Sequence, residues 1–373
     1  MGQKSTARIW GEYLAARLGE ACLSSLDPDL NVETAKWFGR AFHAIDRKHA
    51  RRAVDNLTRT FPDWPVDKAE RVARASFEHF AQLAVEVLHT PRLIRHPDWA
   101  DRVQLTHLGP AMDLLNSPNP VILLTGHIGN WELLGGLMAE IGYDMDAIAR
   151  PLDNPRINDW LMGVRQRGGM RIITKFDASE RMVEVMEQGG ALGFIADQNA
   201  GDKGQFVPFL GRMASTYKSI GLLAIRFNAA IVCGYAHRVA SPAGERMRFR
   251  YELGATDIIY PEQWIDQPDP LYYVTARYSR ALERMVRLRP EQYLWMHRRW
   301  KSRPKWERQG KPMPASARRA LERLPWLTQA EVDALVHDAE PAAKAKPPPE
   351  PPPEPPPEPP PNPTPPPQTA LAG

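Results

Sequence analysis

His127 and Glu132 stand five residues apart in VILLTGHIGNWELLG, residues 121–135, where an apolar run ends at a glycine, a histidine, a second glycine and an asparagine. Imidazole changes charge near neutral pH without a special environment. A carboxylate bonded to one ring nitrogen fixes the tautomer and makes the other nitrogen a better base. Glu132 belongs to the first turn of the helix expected from Trp131, where the helix dipole favours a negative charge. A turn that folds back would bring it to His127. No serine or cysteine lies nearby as a nucleophile, so the pair suits a general base acting on a hydroxyl of the substrate. The bland alternative is a loop histidine satisfied by one hydrogen bond. Gly126 and Gly129 favour the site, because they permit a sharp turn and close approach of a ligand. HEXXH spacing and paired cysteines are both absent, so no metal or cofactor is expected.

For His127 to face a ligand, VILLT must be a strand that ends at the site, since ligands bind beyond the carboxyl ends of strands in open α/β sheets. The surrounding pattern agrees. VILLT, MDAIA, MRIIT and ALGFIA (121–125, 145–149, 170–174, 191–196) read as strands, with helices beginning near Trp131, Arg156 and Ser179. A helix at 215–227, strands in AAIVCGYAHRV and RMRFRYEL, and a helix at 271–288 follow. Strand–helix alternation predicts an α/β fold with a mostly parallel sheet flanked by helices.

Residues 5–90 read as helical. Asn31–Leu57 has helical apolar spacing, Phe61-Pro62 breaks it, and Pro65 opens a further helix. The expected division is a helical N-terminal region over 1–104, an α/β core over 105–310, a short helical extension over 311–340 and a tail from 341. Thr328 and Glu331 have capping-box spacing in that extension. The tail holds 17 of the chain's 37 prolines, so it cannot bury a core and reads as a disordered, extended polyproline segment. It is either a passive spacer or a ligand for an aromatic groove, with its partner unknown.

The net charge of +4 is a mild basic bias, compatible with acidic partners or anionic lipid and too small to indicate nucleic acid. Cys22 and Cys233 suit a reducing compartment or plain core use. The first apolar segment, Ile9–Leu26, contains Glu12, Arg17 and Glu20. It is not expected to cross a bilayer, which takes about 20 mostly apolar residues. It either lies flat on a membrane or packs on the protein.

The stretch GHIGNWE resembles the HX4D/E block of the glycerolipid acyltransferase superfamily, and more narrowly that of the lipid A biosynthesis late acyltransferases (lauroyl or myristoyl acyltransferases). Other stretches resemble that family in order: NLTRTFP at 56–62, IARPLDNPRIN at 148–158, FIADQNAGDKGQFVPFLGRMAST at 194–216 and PEQYLWMHRRWKSRP at 290–304. The charged first segment and the polyproline tail depart from it. The resemblance implies acyl transfer from acyl carrier protein to a hydroxyl of a phosphorylated glycolipid, at the cytoplasmic face of the inner membrane. It implies His127 as general base and Glu132 as its orienting partner.

Asn130 is a candidate donor to the developing oxyanion, or a turn former. Arg150 and Asn154 occupy marked positions of the second block, and Arg150 suits a phosphate. Asp197 and Gln198 follow a strand, where they bond sugar hydroxyls, hold Arg150 or cap the next loop. Asn199–Ala214 reads as a lid or substrate-binding loop. The strip from His297 to Lys311 is basic and interleaved with Trp295, Trp300 and Trp306. It suits a membrane interface, acyl carrier protein or plain solvation, with Arg298 and Arg299 as substrate-binding candidates. The rival functions are another glycolipid or lysophospholipid acyltransferase, such as the phosphatidylinositol mannoside type, and a catalytically silent lipid-binding scaffold. An esterase is disfavoured because no GxSxG turn is present.

Overall fold

A strand covered on both faces is a run of apolar residues without alternation, and Val121–Thr125 (β2) is such a strand, flanked on both sides in the sheet. The computed structural model describes residues 5–93, 99–149, 151–167, 170–174, 178–241, 248 and 250–338. Arg150 and the polyproline segment lie outside the described residues. Those described all belong to one unit, Met1–Glu340.

Four helices lead: α1 Thr6–Ser24, α2 Pro28–Ile45, α3 Arg47–Thr60 and α4 Val66–Leu93. The single helix expected over 31–57 is divided at Asp46. Its side chain accepts from the His49 N–H, so it caps α3 where α2 ends. Asp27 caps α2 in the same way, with Pro28 at the first helical position.

The strand–helix region follows as β1 Val103–Thr106, α5 Gly109–Leu115, β2, α6 Trp131–Glu140, β3 Met145–Ala149, α7 Pro155–Arg167, β4 Arg171–Thr174, α8 Ala178–Glu187 and β5 Ala191–Ile195. Then come β6 Gln205–Phe209, β7 Arg212–Thr216, α9 Lys218–Phe227, β8 Ala230–Val239, β9 Arg250–Ile259 and α10 Pro270–Leu288. The described chain closes with α11 Lys305–Arg308, α12 Ala315–Glu322 and α13 Gln329–Asp338. The Thr328–Glu331 capping box opens α13 in both directions.

The main sheet has the order β1-β9-β8-β2-β5-β3-β4. From β8 to β4 the strands are parallel, while β9 runs antiparallel to β8 and parallel to β1. Side chains of β2 alternate as a strand requires. Ile122 and Leu124 enter the larger core with α10, whereas Val121 and Leu123 pack on the other side with α5.

The expected lid loop is instead the β6–β7 hairpin for most of its length. Leu210 and Gly211 at its tip both have positive φ, 51° and 76°, which matches the twist of a tight antiparallel pair. The hairpin is held to α10 by Ser279 Oγ donating to Pro208 O and by Glu283 accepting from the Leu210 N–H. The helix expected from residue 215 accordingly starts at Lys218.

Candidate active site

Parallel register brings the site together. Thr125 is paired with Ile195 at the ends of adjacent strands β2 and β5, so His127 and Asp197 each lie two residues beyond a matched pair. His127 Nδ1 is 2.7 Å from Asp197 Oδ1, and the carboxylate is almost fully buried. Gly126 makes this possible: a Cβ there would crowd Asp197 Cβ at 3.2 Å. The turn is then clamped against the segment after α10. Leu294 N–H donates to His127 O and Gly129 N–H to Gln292 O, both at 3.1 Å. Gly129 has φ +58°, and a side chain there would collide with Ala236 O.

The expected His127–Glu132 hydrogen bond is not made. Glu132 sits in the first turn of α6, as expected, but its carboxylate takes the guanidinium of Arg165 (α7), with Nε at 2.9 Å, and the indole N–H of Trp131. The helical turn delivers it to Arg165, and the carboxylate bonded to the imidazole is that of Asp197. Burial pushes the His127 pKa down. The charge and hydrogen bond of Asp197, helped by the charge of Glu132, outweigh burial and hold it above the ordinary value. Burial raises Asp197, but His127 and Arg299 bring its carboxyl below the usual range. The other ring nitrogen, Nε2, lies 3.4 Å from the Gln198 carboxamide.

Several candidates commit their polar groups to the fold. Asn130 caps α6 through Leu133 N–H, and its amide nitrogen donates to Glu86 and Tyr251. The Asn130 N–H goes to Ala236 O, so neither it nor Gly129 N–H is left for an oxyanion. Asn154 caps α7 and donates to Ile9 O and Glu12, tying α1 down. Arg299 is buried, donating to Gln198 O, Ser215 O and Thr216 Oγ1 with its guanidinium over the Phe209 ring.

Arg298 is exposed. Lys301, Lys305, Arg308 and Lys311 are exposed with it, whereas Arg303 is half-buried and pairs with Glu307 and Asp338. The rings turn inward: Trp295 is buried and donates to Pro290 O, and Trp300 is covered by Arg212. The strip is therefore not a row of rings free to enter a headgroup layer.

A buried polar network beneath the turn had no signal in the sequence. Arg238 (β8) binds Glu86 at 2.6 Å, Gln82 and His79 at 2.9 Å, all from α4, while His79 Nε2 reaches Gly129 O. Beside the site lies an apolar cavity of about 130 Å³ between α5, α6 and the sheet. Trp131, whose ring meets His127 edge-on at 5.0 Å between centroids, lines one end with Glu132 and Arg165. Leu115, Met138, Met145 and Met170 line it towards the N-terminal ends of the strands.

Comparison with known proteins adds to this geometry. Residues 4–302 match the family model described as bacterial lipid A biosynthesis acyltransferase. The chain is 24% identical over 266 residues to the lipid A biosynthesis lauroyltransferase of Escherichia coli K12, covering 69% of this chain and 81% of that protein. It is 28% identical over 263 residues to the palmitoleoyltransferase of the same organism, covering 68% and 78%. To its myristoyltransferase it is 23% identical over 301 residues, covering 79% and 88%.

Proposed function

This chain belongs to the bacterial lipid A biosynthesis acyltransferase family, and on that premise we propose that it moves a fatty acyl chain from an acyl carrier protein thioester to a hydroxyl of a phosphorylated lipid A precursor-type glycolipid. His127 Nε2 takes the hydroxyl proton as the acceptor oxygen attacks the thioester carbonyl. Asp197, bonded to Nδ1, keeps the tautomer and offsets the charge that develops on the ring. The tetrahedral intermediate collapses to the ester, and the departing thiolate recovers the proton from the imidazolium. Gln198, whose carboxamide lies 3.4 Å from Nε2, is the candidate side-chain donor to the developing oxyanion. The Glu132–Arg165 pair closes one end of the cavity and contributes its carboxylate's charge to His127 from a distance.

One observation carries this reading: a part-buried histidine on a buried aspartate stands against Trp131, which lines a slot with an almost wholly apolar wall. The histidine can deprotonate a hydroxyl, and the slot can take an alkyl chain out of water at roughly 0.8 kcal/mol per methylene. The test is single-turnover acyl transfer by wild type and His127→Ala, from acyl carrier protein and coenzyme A thioesters, with donor and acceptor binding measured separately. General-base assistance is worth about 10²- to 10⁴-fold, so His127→Ala should lose that much with binding kept. A near-normal rate, or a defect confined to binding, would make His127 a structural residue. Faster transfer from coenzyme A would move the donor assignment.

A further inference from the structure

The carboxylate bonded to His127 sits on a turn just past β5, and that turn is held from another part of the chain. Ala196 N–H donates to Thr125 O, which carries the pairing of β2 and β5 one residue past the strand. Beyond Asp197, residues 297–302 take hold. Arg299 donates to Gln198 O at 3.2 Å. Asn199 Oδ1 accepts the Ser302 N–H at 3.2 Å, and the Asn199 amide nitrogen donates to Ser302 Oγ at 3.3 Å. The Asn199 backbone N–H donates to His297 Nε2 at 3.3 Å. Residues 295–297 are in turn anchored on α3, where Asn56 donates to Trp295 O and His297 O, and Arg52 to Met296 O. His297 is thus the fixed end of its contact, and the turn carrying Asp197 is the end it holds.

We propose that His297 is a positioning residue of this site: as a neutral imidazole it accepts the Asn199 N–H at Nε2 and so keeps Asp197, two residues earlier, against His127 Nδ1. A backbone N–H can only donate, so Nε2 must carry no proton and the ring's one proton sits on Nδ1. A charged His297 would set N–H against N–H and release the turn. Burial disfavours that charge, His127, Arg299 and Arg52 add to the effect, and Asp197 opposes it, so His297 is held below the ordinary histidine value. His127 is held above it. At any pH where His127 is neutral and able to act, His297 is therefore already neutral and holding. This role rests on the reading of His127 as the base, and it passes through Asp197 and not through contact with substrate.

Full-length protein is compared as wild type, His297→Gln and His297→Asn. The glutamine oxygen can stand near the place of Nε2 as an acceptor that does not titrate, whereas the shorter asparagine stops near that of Nδ1 and leaves the Asn199 N–H unheld. Single-turnover acyl transfer should fall by about 10- to 100-fold in His297→Asn, the scale set by a displacement of about 1 Å, with donor and acceptor binding kept. His297→Gln should keep most of the rate. His127→Ala/His297→Asn should be no slower than His127→Ala, because the two residues serve one step. A second readout needs no turnover. The His127 titration, followed by NMR of ring-labelled histidine and assigned from His127→Ala, should move to lower pH in His297→Asn and stay in place in His297→Gln. An unshifted titration in His297→Asn, an equal loss of rate in both single variants, or a double variant slower than His127→Ala by the full factor overturns the proposal. If wild type transfers no acyl chain, the catalytic reading falls, and the His127 titration still decides whether His297 holds Asp197 in place.

Discussion

At the residue scale, the question is which carboxylate serves His127. A base must be neutral to accept a proton, and His127 is held above the ordinary histidine value. Turnover should therefore fall as pH drops through a midpoint above about 6.5, the unperturbed imidazole value. Asp197→Asn removes the chief raising influence and leaves burial, so its midpoint should move to lower pH. With the imidazole unoriented, its plateau should also fall about 10²- to 10⁴-fold. Glu132→Gln removes only the more distant charge, so its midpoint should move the same way by less. Full pH–rate profiles of the three proteins decide the matter. A Glu132→Gln profile displaced as far as that of Asp197→Asn, with as deep a loss, would return the orienting role to Glu132.

At the element scale, the turn bearing His127 is held by elements distant in sequence: α4 from below through His79, β8 through Ala236, and the segment after α10 through Gln292 and Leu294. The Glu86–Arg238 pair joins two of them and is almost fully desolvated on the Glu86 side. Removing one partner of such a pair strands a buried charge, so Arg238→Met should lower unfolding free energy by about 3–5 kcal/mol. Glu86→Gln/Arg238→Met retains an acceptor for Asn130 and leaves no stranded charge. Chemical denaturation should find the double variant more stable than Arg238→Met alone. Equal or additive losses would mean that the pair acts by packing and not by charge.

At the scale of the whole molecule, the cavity spans α5, α6 and the strands β2, β3 and β5, with Trp131, which meets the candidate base, at one end. On the proposed function it takes the acyl chain, and its depth then limits acyl length. Ala147→Phe adds a ring to the lining and should shift transfer towards shorter chains, whereas Met170→Ala removes most of a side chain from the far wall and should admit longer ones. Competition among thioesters of graded chain length, read by mass spectrometry of the product, checks both. An unchanged preference in both variants would mean that the chain lies elsewhere.

Local patterns were enough to read much of this protein. The mostly apolar runs VILLT, MDAIA and ALGFI became strands because a doubly covered sheet requires apolar side chains on both faces. The glycines around His127 marked a turn, and the Thr328–Glu331 capping box marked a helix start, because both act within a few residues. The short edge strand β1 gave too little pattern to read. The β6–β7 hairpin was hidden by Pro208 within a strand and Leu210 at its tip, a residue type that rarely takes positive φ. The partner of His127 was hidden for a different reason. Glu132 is five residues away along the chain, but the helix turns it towards Arg165, whereas Asp197 is 70 residues away and meets the imidazole through strand register. The inward turn of Arg299 and Trp295 has the same origin, since residue type gives the charge or the ring but packing decides which side it faces. The sequence determined which groups were available and which strand ends would display them. Only the tertiary structure decided which groups touch, because pairing across a sheet depends on register between distant segments.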